Sequence, residues 1–356
     1  MATIVLTWSL WLTDRNFPLA TIVHFPVTIT DHGMIFLLLF LGTMVLLLFT
    51  DNRYIFLFFF LVLIFLVLQD INRFQTWLYV YVLVLLPIFL LRNKTEAIKI
   101  IHLVIIGLYL WSGIHKFNHS FIDETGIEIF TGIFRMSAAQ AKQIGFIAYL
   151  VPCFQVLMAT GLLFQKTRHV AIYMIVAMHL FICLVFIPVL HPDNYQIIPW
   201  NISMICIVLL AFYRYPGYIW NELKPSVVQI IFFLLVFILP TGYYMRIWPH
   251  NCSFHLYSSY NRYYYVAISE KYWPLVQKDC GKYLIELPEG TSGGVIIDMN
   301  LWSRAELGVV MFPEIYAYKK TSYFFCNKGI PSSDIQFMSF DHAITATELI
   351  KWSCQD

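Results

Sequence analysis

Between Met34 and Ile247 the chain is a succession of apolar runs separated by short polar steps, and this pattern leaves little choice of fold. A backbone sunk in hydrocarbon can satisfy its polar groups only within helices or closed barrels, and a helical span needs about 20 mostly apolar residues. Eight spans are predicted, near Met34 to Phe49, Tyr54 to Gln69, Thr76 to Leu91, Ile98 to Lys116, Ile144 to Phe164, Val170 to His191, Ile197 to Tyr213 and Val227 to Ile247. Only 12% of residues are charged, where a soluble domain has about 25%. The opening MATIVLTWSLWLTDR is apolar for about a dozen residues and has no basic leader, so it reads as a short helix on or in the membrane. A net charge of +2 with no Lys/Arg run excludes a nucleic-acid partner.

Lys and Arg in the short loops set the expected orientation. One set of connections carries Arg53, Arg92, Lys94, Lys99, Lys166, Arg168, Arg214 and Lys224, and the opposite set carries Arg15, Arg73, Arg135, Lys142 and Arg246. The richer set is expected in the cytoplasm, which puts both termini outside.

From Pro249 to Asp356 the composition turns mixed and polar, with turn signals such as PEGTSGG and NKGIPSSD. FHLYSSYNRYYYVAI, KYLIEL and GGVIIDM read as strands, and SRAELGVVMF and ITATELIKW as short helices. The expected architecture is a polytopic α-helical membrane domain over residues 1–248, with about eight transmembrane helices, followed by a small extracytoplasmic α+β domain over 249–356. Cys252, Cys280, Cys326 and Cys354 lie in that exported domain. Their even count suggests two disulfides, with three pairings open, and a zinc site competes without any CxxC to favour it. Cys153, Cys183 and Cys206 fall within spans and read as small buried apolar residues.

Polar residues collect at the outer ends of the spans: Asp14, Arg15, Asp31, His32, Asp70, Asn72, Arg73, Gln75, His115 to His119, His191 and Asp193. Gln155 and His179 sit deeper. Ionisable groups within a bilayer are costly and mark functional sites by default. Against this, span-end lysines commonly snorkel, and a lone histidine is often a hydrogen-bonded core residue. Lys116 differs in having Gly113 on nearly the same helical face, where a second helix or a ligand can approach closely. Desolvation on a packed face disfavours the ammonium and leaves an amine able to take a proton. His115 and His119, spaced i and i+4, are open as metal ligands, but spacing ties no third ligand to them.

Tyr109-Leu-Trp-Ser-Gly-Ile-His-Lys-Phe-Asn-His-Ser-Phe resembles a stretch of the vitamin K-dependent gamma-carboxylase family, and Met178-His-Leu-Phe resembles the start of a later helix there. DINRFQTWLYVYVL and FHLYSSYNRYYYVAI are similar to segments of bacterial members of the wider HTTM (horizontally transferred transmembrane) group. The resemblance implies a bacterial inner-membrane protein, a reduced quinone of menaquinone or vitamin K type as cofactor, and Lys116 as the base. An enzyme built on that base would use Arg73 to hold the developing oxyanion and His179 to relay or orient, with Tyr109, Gly113, Asp70 and Gln155 lining the substrate site. The sequence lacks the family's Asn and Phe-Pro pattern after His179 and any large lumenal domain.

Two functions follow as expectations. The first is a membrane enzyme acting on a quinol or other lipid substrate near Lys116. The alternative is a non-enzymatic scaffold that docks a maturation or export partner through the terminal domain, whose tyrosines could be aromatic anchors or core. Transport is a third reading, but Pro87 and Pro152 form no paired break of the kind inverted repeats show.

Overall fold

A computed structural model describes residues 1–23, 33–215, 225–258, 262–285, 294–342 and 347–355. Asp31, His32, Lys224 and most of the PEGTSGG turn lie outside the described residues. The chain forms two compact units, one from Met1–Gln75 with Asn261–Asp356 and one from Thr76–Tyr260. Packing therefore groups the first 75 residues with the C-terminal sheet, whereas the boundary drawn near Pro249 follows composition.

The second unit is helical. Its apolar helices are Thr76–Leu90, Lys94–Ile114, Ala138–Leu163, Arg168–Leu190, Ile198–Phe212 and Val227–Tyr243. Lys94–Ile114 is central, 78% buried over its most apolar window, while Ala138–Leu163 and Arg168–Leu190 are 33% buried. The outer two present Phe154, Leu157 and Leu184 outward, a surface that suits lipid and not water. These three helices are long and apolar enough to cross a membrane. The other apolar helices of the chain, Gly33–Phe49 and Arg53–Gln69 included, have 10–17 residues. At 1.5 Å per residue even the longest of them spans only about 26 Å, short of a hydrocarbon core of about 30 Å. All eight predicted runs are helical, then, but three of them carry the length for a span. Cys153 and Cys206 are exposed on these helices and Cys183 is half-buried, contrary to the buried role expected of them.

In the first unit, Gly33–Phe49 and Arg53–Gln69 pair through aromatic stacks such as Phe40 on Phe59, 5.2 Å between ring centres. The short helices Ala2–Leu6 and Trp8–Trp11 precede them. Five antiparallel strands, β1 Tyr263–Ile268, β2 Leu284–Ile285, β3 Val295–Asp298, β4 Ile335–His342 and β5 Thr347–Trp352, are ordered β2-β3-β1-β4-β5. Alternation in β1 buries Tyr264, Val266 and Ile268. Tyr264 stacks between Tyr318 and Trp352, so the central tyrosine of the YYY run is core. Segment 347–352, expected within a short helix, is instead strand β5: Thr-Glu-Leu-Ile-Lys-Trp pairs residue by residue with β4, and tertiary pairing overrides a weak local preference. Asp298 caps helix Met299–Leu307 by accepting from the Asn300 and Leu301 amides, and Gly308 ends it at φ +69°.

The N-terminal segment is built into this unit. The Ser9 hydroxyl donates to the Glu306 carbonyl, the Phe17 amide to the Glu306 carboxylate, and the Phe312 amide to Asn72 Oδ1. Ala20, Ile71, Phe312 and Ala317 share one apolar cluster. Cys326, which ends helix Ile315–Cys326, is disulfide-bonded to Cys354 just beyond β5. The second expected disulfide does not form. Cys252 and Cys280 are buried thiols in different units, and burial, with Asp279 nearby, pushes the Cys280 thiol up to about 12, so it stays protonated and poorly suited to a metal.

Candidate functional site

Helix Lys94–Ile114 starts on an Asn93 cap, whose side chain accepts from the Thr95 and Glu96 amides, and ends one residue before His115. Its last turn is crowded. A Cβ placed on Gly113 would sit 2.9 Å from Val156 Cγ2 and 3.1 Å from the Pro152 carbonyl, so glycine is what lets the 150–163 helix approach. Because the helix stops there, His115 and His119 do not share a face: His115 is buried and His119 exposed. The i, i+4 metal pair fails for that reason, and among the described residues no group of three or more His, Cys, Asp or Glu is placed to hold a metal.

Lys116 is 4% exposed and curls back over the helix end. Its ammonium donates to the Ser112 carbonyl at 2.9 Å, to the Ser112 hydroxyl at 3.0 Å, and to the Leu256 carbonyl. Three donors thus meet three acceptors, and the lysine ties the helix end to the 250s segment. His115 reinforces the tie: the Ser253 carbonyl accepts from Nε2 at 2.9 Å, and Nδ1 then accepts from the Tyr244 hydroxyl at 2.9 Å. Its ring stacks on His255 at 3.6 Å, and His255 stacks on His250 at 4.3 Å. Asn118 Nδ2 closes the turn on the carbonyls of His115 and Ser258.

Beside Lys116 lies a cavity of about 410 Å³. Its walls include Met158, Met174, Met178, Met204, Phe186 and Trp200, and its polar lining is Tyr109, Ser112, Lys116, Thr125, Gln155, His179, Asn201 and Tyr257. His179 sits three residues before the wide π-turn Ile182–Phe186, which places both of that turn's end residues on the cavity wall. Its Nδ1 lies 2.7 Å from Asn201 Oδ1 and its Nε2 2.8 Å from the Tyr109 hydroxyl. An amide oxygen only accepts, so Nδ1 carries the proton and Nε2 accepts from Tyr109. Asn201 is itself fixed by donating to the Ile197 carbonyl at 2.9 Å. Gln155 donates to the Met178 sulfur at 3.7 Å, and its buried Oε1 has no hydrogen-bond partner.

Of the residues singled out in sequence, Tyr109, Lys116, Gln155 and His179 line this cavity, and Gly113 packs the helix beside it. Arg73 and Asp70 belong to the other unit and are occupied there. The Arg73 guanidinium donates to the carbonyls of Leu10, Leu66, Trp11 and Leu12 and to Gln69 Oε1, which uses all five of its protons. Asp70 pairs with Arg15 and accepts from the Ala20 and Asn72 amides. Arg73 has no N–H left for a substrate oxyanion, and Asp70 is committed to Arg15 and these amides in place of a substrate. Sequence reading missed Asn201, a polar residue in the middle of an apolar run that the same cost argument could have flagged, and also Ser112, His250 and His255.

The comparisons correct the family expectation. Residues 94–196 match the family model described as "Methylamine utilisation protein MauE", and not gamma-carboxylase or HTTM. That segment contains the 109–121 and 178–181 stretches of the gamma-carboxylase resemblance, while the two HTTM-like stretches lie outside it. A tyrosine, a glycine and a lysine at helical spacing are a short pattern, and here close packing at Gly113 and the Lys116 tie account for two of the three. No curated protein and no solved structure matches the chain. The chain is an integral membrane protein, and its residues 94–196, which supply part of the cavity lining, are similar to MauE.

Proposed function

We propose that this chain is a non-enzymatic membrane maturation protein that acts with a protein partner in an amine-utilisation system. The observation that carries the reading is the family match over 94–196, the segment that contains Lys116 and part of the cavity lining. It covers less than a third of the chain, so the role of the remaining residues is inferred along with it. Lys116 supports the same reading, since its Nζ is held by three oxygen acceptors that tie the helix end to the 250s segment, a structural use of the side chain. In this reading the apolar helices lie in a bacterial inner membrane that the three long ones cross, the Lys/Arg-richer loops are cytoplasmic, and the disulfide-bonded sheet domain meets the partner outside.

The test is growth on methylamine of a host with the gene deleted. Growth should fail and return with the wild-type chain; a deletion host that grows normally on methylamine ends the proposal. Lys116→Arg keeps the charge but does not readily lose a proton. At matched protein level this variant should also restore growth, whereas loss of growth would return the lysine to chemical duty.

A further inference from the structure

The cavity has features that a docking scaffold does not need. Its volume, about 410 Å³, falls in the range of about 300–1,000 Å³ typical of small-molecule sites. Its walls are mostly apolar, and four methionines give them a surface that adapts to an irregular chain. Val151, Phe154 and Phe181 line it and are also exposed, on two helices long enough to span a membrane, so the cavity opens sideways toward the acyl chains.

Its buried polar lining is nearly consumed. Lys116 has donated its three protons, both nitrogens of His179 are engaged, and Asn201 is fixed at both ends of its amide. Among the described residues that line the cavity, the buried side-chain polar atom left without a hydrogen bond is Gln155 Oε1, on a side chain 8% exposed. A buried acceptor with no donor is costly, and a bound donor removes that cost. The donor's charge is constrained as well. An ammonium headgroup would meet a second amine at Lys116 with no carboxylate lining the cavity to pair with it, and a carboxylate carries no proton to give.

We infer that the cavity binds a single-chain, lipid-borne molecule with a neutral hydroxyl head, entering between the 150–163 and 168–181 helices, with its hydroxyl donating to Gln155 Oε1 and its chain against the methionines. This goes beyond the maturation role and stands or falls separately, because it is read from binding and not from growth.

The experiment titrates the purified full-length chain in detergent with cetyl alcohol and, separately, with cetyl methyl ether, which has the same chain but no donor. Bound fraction is read by native mass spectrometry. The alcohol should bind about tenfold more tightly than the ether, the worth of one buried hydrogen bond. Gln155→Leu should fold and bring the two probes level. Ala177→Phe, a substitution at an exposed wall position by the cavity mouth, should reduce binding of both. Equal binding of alcohol and ether to the wild type, no binding of either, or an alcohol preference that survives Gln155→Leu would overturn the inference.

Discussion

Arg73 and Lys116 are both buried cations just beyond a helix end, 0% and 4% exposed, yet they sit in different surroundings. Arg73 is ringed by acceptors, four of them backbone carbonyls, and no cavity adjoins it among those described. Lys116 has three acceptors on one side and open apolar space on the other. Both were flagged in sequence by the same rule, that charge near hydrocarbon is expensive. The difference lies in what the cation is for. Arginine's planar fork can gather five acceptors from separate segments and acts as a knot, while lysine's compact head ties one turn and leaves a wall for a ligand.

The sharpest way to break this comparison is at the knot. Arg73→Met should destabilise the first unit by about 3–5 kcal/mol, because five acceptors lose a buried charged donor at once; thermal unfolding and yield measure it. If that variant unfolds like the wild type, Arg73 is not the knot described. Opening the Cys326–Cys354 bridge by Cys326→Ser should cost about 2–4 kcal/mol in the same unit, seen as a lower unfolding midpoint that reductant does not lower further. Lys116→Met should cost about 1–3 kcal/mol, since it frees fewer acceptors and its methionine can fill part of the cavity. Gln155→Leu should move stability least, by under about 1 kcal/mol and toward greater stability, because an unsatisfied acceptor is removed with its volume kept. A large loss in that last variant would mean that Gln155 holds a partner in the ligand-free chain.

Much of the helical architecture was legible because apolar runs of this length have few alternatives, and the eight segments fall where the runs predict. Length separated them only in the structure: Ala138–Leu163 gains residues from a polar first turn that hydropathy alone discounts. Part of the site was legible for the same reason. Tyr109, Lys116, Gln155 and His179 are polar atoms in apolar runs, and burying each against the others is the cheapest arrangement. Arg73 and Asp70 carried the same signal and went elsewhere, since a cost argument says that a polar group needs partners but not which ones. Ser253 and Leu256 contribute through backbone carbonyls, which no side-chain pattern announces. The family resemblance failed through its shortness: thirteen residues with a common helical spacing weigh less than a match across 94–196.

The first unit is assembled from both ends of the chain, with Phe17 against Trp302 and Asn72 against the Phe312 amide. This has a consequence for biogenesis. The opening segment leaves the ribosome with its partner Glu306 still 297 residues beyond Ser9 and 289 beyond Phe17, so both must wait while the whole helical unit between them is made and inserted. During that interval the early segments are exposed to chaperone, translocon or lipid, and closure by the late strands is the step that commits the chain to its final form.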